Sequence, residues 1–176
     1  MEYMFMPLKR YAEFSGRSRR MEYWMWALFQ ILLYVGVLVL LGVFAGGAIM
    51  SGDPSALMAA GGGALIIIAA YGIVQLALIV PNLAVAVRRL HDTDRSGWWL
   101  LAPVVPYIVM LVAGGASISS TGGPGAGTGA VVLICMLAAL VLGLVLFVFM
   151  LLEGTKGPNK YGADPKASEG TAPVVA

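Results

Sequence analysis

Charged residues are scarce in this sequence. Only 11% of its 176 residues are Asp, Glu, Lys or Arg, whereas 60% are hydrophobic. A soluble domain carries roughly a quarter charged residues, so these few side chains cannot cover a water-exposed surface. The composition excludes an ordinary water-soluble globular protein and predicts a chain solvated largely by lipid. The net charge of +2 is too small to indicate binding to nucleic acid.

Cysteine and histidine are each present once. Cys135 lies inside an apolar run and cannot form an intramolecular disulfide, and His91 has no second His or Cys at the spacing of a zinc site. We interpret Cys135 as a small buried or lipid-facing side chain. We expect no cofactor, because no nucleotide or metal motif accompanies these residues.

Four apolar stretches are long enough to cross a bilayer core of about 30 Å, which takes about 20 helical residues. We therefore predict an all-α membrane protein with four transmembrane helices in a single domain over 1–165, followed by a flexible cytoplasmic tail over 166–176. The predicted spans cover about residues 24–50, 64–87, 98–118 and 130–152.

The third span contains two early prolines, Pro103 and Pro106. Proline is tolerated in the first turn of a helix but breaks the hydrogen-bond ladder further along. The helix therefore either begins near Pro103 or is kinked there. Ser96 can cap the start of this span.

All eleven lysines and arginines lie before the first span, between the second and third, or after the fourth. The intervening loops, at about 51–63 and 119–129, contain none and are rich in Gly, Ser and Ala. The positive-inside rule makes the basic side cytoplasmic, so both termini are predicted to be cytoplasmic. In the N-terminal segment, Met4, Leu8 and Tyr11 recur at helical spacing, which predicts a short helix lying in the membrane interface.

Three polar segments share the predicted cytoplasmic side, namely FSGRSRRMEYW at 14–24, RRLHDTDRSGWW at 88–99 and EGTKGPNKYGADP at 153–165. In this order around four spans, they resemble the DUF805 family of small bacterial inner-membrane proteins over roughly residues 14–165. The resemblance implies a multi-pass protein of the bacterial cytoplasmic membrane, and it implies no activity. Asp94 stands where the family pattern leads us to expect glycine.

The segment 88–99 admits three interpretations. In the first, His91 is a general base or metal ligand partnered by Asp92 or Asp94, although hydrolytic metal sites usually need three converging protein ligands. In the second, the arginines bind phosphate groups or anionic lipid headgroups through their guanidinium forks. In the third, which we favour, they set the topology and pair with nearby carboxylates, holding the cytoplasmic face together.

The cores of the four spans contain no ionisable Asp, Glu, Lys, Arg or His. Ionisable residues at membrane depth usually mark a transport path, so an ion-coupled pump is disfavoured. The polar exceptions include Gln30, Gln75 and Asn82, and the pair Pro81–Asn82 can open the backbone of the second span. A passive pore or a lipid-binding groove therefore stays open as an interpretation.

We expect a non-enzymatic scaffold or subunit that presents a basic cytoplasmic face to a partner. The expected partners are membrane lipids with anionic headgroups, a protein, or a second copy of the chain, and not nucleic acid. The alternatives are a small transporter or channel, or a lipid-modifying enzyme that uses Arg88, His91 and Asp92. The candidate lipid- or partner-binding residues are Arg17, Arg19, Arg20, Arg88, Arg89, His91, Asp92, Arg95, Trp98, Trp99 and Asn159.

Overall fold

A computed structural model describes residues 2–118 and 126–167. In these ranges the chain forms helices and no β-strand, and four helical stretches are long and apolar enough to span a membrane. The all-α class with four membrane-spanning helices is confirmed. The helices are α1 (Glu2–Lys9), α2 (Arg20–Ser51), α3 (Pro54–Asp92), a 3-10 helix (Gly97–Leu101), α4 (Val104–Ile118) and α5 (Ala126–Leu151).

The prediction of a loop at about 51–63 was wrong. Only two residues separate α2 from α3, because Gly52 ends α2 with a φ of 65° and α3 begins at Pro54. The Asp53 carboxylate accepts a hydrogen bond from the Ser55 amide at 2.8 Å, as an N-cap residue does, and Pro54 suits the first helical position. These start signals prevail over the Gly- and Ala-rich composition of the residues that follow. Residues 119–125 of the other predicted loop lie outside the described residues.

The third span begins as the first alternative predicted. The Trp98 amide donates to the Ser96 hydroxyl at 3.4 Å, which caps the 3-10 helix. The α-helix then starts at Val104, directly after Pro103, and Pro106 falls in its first turn, where the missing N–H costs nothing.

The chain separates into two compact units. The first contains Met1–Glu13 and Met21–Val85, and the second contains Phe14–Arg20 and Ala86–Ala176. Both contain membrane-spanning helices, so the single four-span domain stays a prediction. Residues 168–176 of the predicted tail lie outside the described residues.

The distribution of burial is the reverse of that in a soluble protein. Large apolar side chains such as Ile49, Met50 and Leu65 are exposed on the spans, whereas Arg88 and Arg89 are fully buried. An apolar exterior of this kind is solvated by lipid. Several of the few charged side chains are therefore buried inside the protein.

Candidate functional site

The predicted polar segments come together in the second unit. Residues 14–20, 86–96 and 150–167, which we call the polar cap, contain the ends of α3 and α5 and the chain before α2. Whether these segments pack together could not be derived from the sequence. The contacts below show that they do.

The Asp92 carboxylate lies between two buried guanidinium groups. Nε of Arg17 donates to Oδ1 at 3.0 Å, and Nη1 of Arg89 donates to Oδ2. The three side chains are between 0% and 7% exposed. Because desolvating such charges is costly, the arrangement is stable only if the remaining donors are also satisfied.

The remaining guanidinium donors bind backbone carbonyls of the chain after α5. Arg17 donates to Gly157 at 2.6 Å and to Thr155 at 2.5 Å. Arg89 donates to Met150 at 3.4 Å and to Leu152. The last carbonyls of a helix lack intrahelical donors and carry the negative end of the helix dipole, so Arg89 caps α5.

Asp92 also binds this chain through its backbone. Its carbonyl accepts from the Thr155 amide at 2.8 Å and from the Thr155 hydroxyl at 3.2 Å. At Gly154, an added Cβ would lie 2.5 Å from the carboxyl carbon of Asp92. No side chain fits there, so glycine is required for the close approach.

His91 faces different partners from Asp92. Its ring stacks on Tyr161 with centroids 3.8 Å apart, and Nδ1 lies 3.2 Å from the carbonyl of Gly16. The backbone carbonyl of His91 accepts from Nδ2 of Asn159 at 2.9 Å. His91 and Asn159 therefore join separate segments of the polar cap. The predicted pairing of the His91 ring with Asp92 is not formed, because the two side chains have different partners. Within the described residues, no three His, Cys, Asp or Glu side chains could hold a metal ion together.

Asp164 organises the loop after α5, a role that could not be assigned to it from the sequence. Its carboxylate accepts from the amides of Gly157 and Lys166, each at 2.9 Å. The hydrogen bond from the Lys166 amide contributes most to lowering the pKa of Asp164, and the bond from the Gly157 amide lowers this pKa further. A carboxylate that bonds its own backbone is a turn signal, and the sequence GADP carries it.

The other predicted arginines are also engaged within the cap. Nε of Arg19 donates to the carbonyl of Pro165 at 2.8 Å, and Arg20 donates to that of Leu151 at 3.2 Å. Arg88 is fully buried, and its carbonyl accepts from the amide of Ser18 at 3.1 Å. Of these three, only Arg20 keeps a half-exposed side chain.

At the end of the segment 88–99, some side chains pack against α5 and one is exposed. The guanidinium of Arg95 lies 3.9 Å from the ring centre of Phe149, and Trp99 meets the same ring edge-on at 5.3 Å. Trp98 is instead 75% exposed. Trp99 and Arg95 therefore fix the segment on α5, and Trp98 is available to the surroundings.

The DUF805 family model, described as a protein of unknown function, matches residues 11–163. The chain belongs to the DUF805 family. The inner membrane protein YhaI of Escherichia coli K12 is 34% identical over 166 residues, covering 94% of this chain and 97% of YhaI. The inner membrane protein YhaH of the same strain is 32% identical over 166 residues, covering 94% of this chain and 98% of YhaH. No solved structure matches.

DUF805 membership and these relatives agree with the four spans, and the chain is a multi-pass protein of the bacterial inner membrane. In this DUF805 protein, Asp94 has a φ of 58°, a left-handed conformation that favours glycine. That explains why glycine was expected there. Aspartate tolerates the conformation better than most residues, and here it also lies 3.6 Å from Nζ of Lys160.

Proposed function

We propose that the protein is a non-enzymatic membrane scaffold whose polar cap binds anionic lipid headgroups on the cytoplasmic side. The observation that carries the proposal is the Asp92 carboxylate held between buried Arg17 and Arg89. It ties three separate segments into one structure and leaves a basic outer surface.

The interior of the cap supports a structural role for its titratable groups. Asp92 accepts two guanidinium groups, and the His91 ring is stacked on Tyr161. A general base needs a free lone pair directed at a substrate, whereas both carboxylate oxygens of Asp92 and Nδ1 of His91 face other parts of the protein. The interpretation that we favoured from the sequence, in which the arginines hold the cytoplasmic face together, calls for contacts of this kind.

The outer surface supports the choice of partner. The cap contains nine Lys and Arg against four Asp and Glu, a net charge of +5, although the whole chain has only +2. Lys156, Lys160 and Lys166 are exposed, as is Trp98. Basic residues beside a membrane contribute about 1 kcal/mol each toward anionic lipid, and an exposed tryptophan suits the headgroup region.

The alternatives have less support. A transporter or channel predicts a hydrated path to Gln75 and Asn82, but the Asn82 side chain accepts hydrogen bonds from Trp26 at 2.5 Å and Gln30 at 3.0 Å. A lipid-modifying enzyme predicts cooperation between His91 and Asp92, whose side chains have separate partners. Both stay predictions.

The exposed lysines provide the test, because changing the buried arginines would disrupt the cap itself. The protein is placed in nanodiscs of mixed phosphatidylglycerol and phosphatidylcholine, and the lipids retained after release are measured by native mass spectrometry. We expect the triple variant Lys156→Gln/Lys160→Gln/Lys166→Gln to retain at least about tenfold less phosphatidylglycerol. The preference should also weaken as salt rises.

A matched variant changes the charge in the opposite direction. Asp94→Asn/Glu153→Gln removes two exposed carboxylates from the same surface, so retention of phosphatidylglycerol should increase. Equal retention of the two lipids by the wild type would refute the binding of anionic headgroups. A protein that stays bound to the wild type and is lost from the lysine variant would instead identify a protein partner for the scaffold.

A further inference from the structure

Pro81 lies inside α3 and interrupts its hydrogen-bond ladder. Proline has no backbone N–H, so the carbonyl four residues earlier, that of Ala77, lacks its usual helical donor. In a membrane-spanning helix, such a carbonyl must find another donor because water is scarce.

The donor comes from the N-terminal segment, 66 residues away in sequence. The hydroxyl of Tyr11 donates to the carbonyl of Ala77. Tyr11 is 42% exposed, so this contact lies at the surface of the first unit. The hydroxyl therefore replaces the bond that Pro81 withholds.

One other contact and one electrostatic attraction hold the same segment in place. The ring of Phe5 in α1 meets Phe29 of α2 edge-on, with centroids 5.7 Å apart. The pKa of Arg10 is raised, first by its hydrogen bond to Glu13 and also by the charges of Glu13 and Glu22. The segment is thus docked by one hydrogen bond, one aromatic pair and one long-range attraction.

Helix α1 has only eight residues. An isolated helix of that length is unstable in water, because nucleation is costly and few hydrogen bonds follow it. Its helical state therefore depends on docking. The rate at which the backbone amides of α1 exchange hydrogen with the solvent therefore reports how often α1 undocks.

On this basis we propose that residues 2–13 form a strap that closes the break at Pro81, and that the Tyr11 hydroxyl holds the strap closed. With the strap docked, the carbonyl of Ala77 has its donor. With the strap released, that carbonyl is open to a donor from water or a lipid headgroup. This inference is independent of the proposed function.

The other side of the break is held from α2. The Asn82 side chain accepts from Nε1 of Trp26 and Nε2 of Gln30, and neither bond involves the strap. Trp26 also packs with Leu78 and Val85 in the buried core of the first unit. Release of the strap should therefore be local and leave α2 and α3 packed.

A double-mutant cycle tests the proposal on the full-length protein in dodecyl maltoside micelles. Amide exchange of residues 2–13 is followed by mass spectrometry in wild type, Tyr11→Phe, Pro81→Ala and the double variant. A hydrogen bond within a membrane protein changes an equilibrium between about threefold and twentyfold. We expect Tyr11→Phe to accelerate exchange by that factor in the wild-type background.

In the Pro81→Ala background, the new N–H at position 81 can bond Ala77, so Tyr11→Phe should accelerate exchange less than about twofold. Tyr3→Phe removes another hydroxyl from the same strap and should have little effect in either background. Equal acceleration by Tyr11→Phe in both backgrounds would overturn the proposal, as would equal effects of the two tyrosine variants.

A second measurement does not require the Pro81→Ala protein to fold. The carbonyl of Ala77 is labelled with ¹³C, and its NMR shift is compared in wild type, Tyr11→Phe and Tyr3→Phe. We expect the shift to change in Tyr11→Phe alone, because only that variant removes the donor. An unchanged shift in Tyr11→Phe would show that the hydroxyl does not bond this carbonyl.

Discussion

Replacing Asp92 with asparagine changes the charge at the centre of the polar cap and almost nothing else, since the two side chains have nearly the same size. The carboxylate accepts from Arg17 on one oxygen and from Arg89 on the other. In the variant, one of these oxygens becomes an NH₂ group that faces guanidinium donors. A hydrogen bond is lost, and both cations lose their counter-ion.

The cost follows from burial. Removing one partner from a buried ion pair costs about 3–5 kcal/mol, because the charge left behind stays desolvated. Here two cations are left, and their side chains are 1% and 0% exposed. Both keep their backbone carbonyl acceptors, which offsets part of the loss. We therefore expect Asp92→Asn to lower the free energy of unfolding by about 3–5 kcal/mol.

The free energy of unfolding is measured by titrating dodecyl maltoside micelles with SDS. Asp94→Asn is the matched control, because Asp94 is half-exposed and pairs with the exposed Lys160 at 3.6 Å. Asparagine also adopts the left-handed backbone at that position. The control should cost less than about 1 kcal/mol. If the two variants unfold within about 1 kcal/mol of each other, Asp92 is not the centre of the cap.

Three further predictions concern the backbone, the pH and the topology. Gly154→Ala should lower the thermal stability, because the new Cβ would lie 2.5 Å from the carboxyl carbon of Asp92, whereas Gly36→Ala meets open space and should not. The pKa of Asp164 is lowered in the folded protein, so its carboxylate stabilises the loop above the unfolded pKa. Amide protection of the loop should fall as the pH drops below about 4, and Asp164→Asn should lose it at every pH. Lys160→Cys, in a cysteine-free background, should react only with membrane-permeant maleimides in intact cells, and labelling by an impermeant reagent would contradict the cytoplasmic assignment.

The fold was largely predictable because a membrane imposes a simple rule. Composition and the length of the apolar runs fix the number of spans. The error at 51–63 arose where composition and capping signals disagree. Glycine and alanine suggested a loop, but Asp53 and Pro54 start a helix. Membrane helices tolerate small residues, so capping chemistry was the better guide there.

The polar cap was predictable only in part. That the arginines pair with a nearby carboxylate such as Asp92 could be predicted from the sequence. Its choice of Arg17 and Arg89 could not, since Arg17 is 75 residues away. The acceptors of both arginines are mostly backbone carbonyls, which every residue has and no motif marks. The hydrogen bond of Tyr11 could not be predicted for the same reason, because its partner is the carbonyl of Ala77.

The internal carboxylate also decides where an external anion can bind. A phosphate that used Arg17 and Arg89 would have to displace Asp92, which is attached to the same chain and already positioned. Groups held in this way act at a very high effective concentration, so a lipid headgroup at the membrane surface competes poorly. The ion pairs of Arg17 and Arg89 with Asp92 therefore stabilise the packing of the segments of the cap. In the proposed function, recognition therefore belongs to Lys156, Lys160 and Lys166, whose side chains are exposed and whose removal leaves the Asp92 cluster intact.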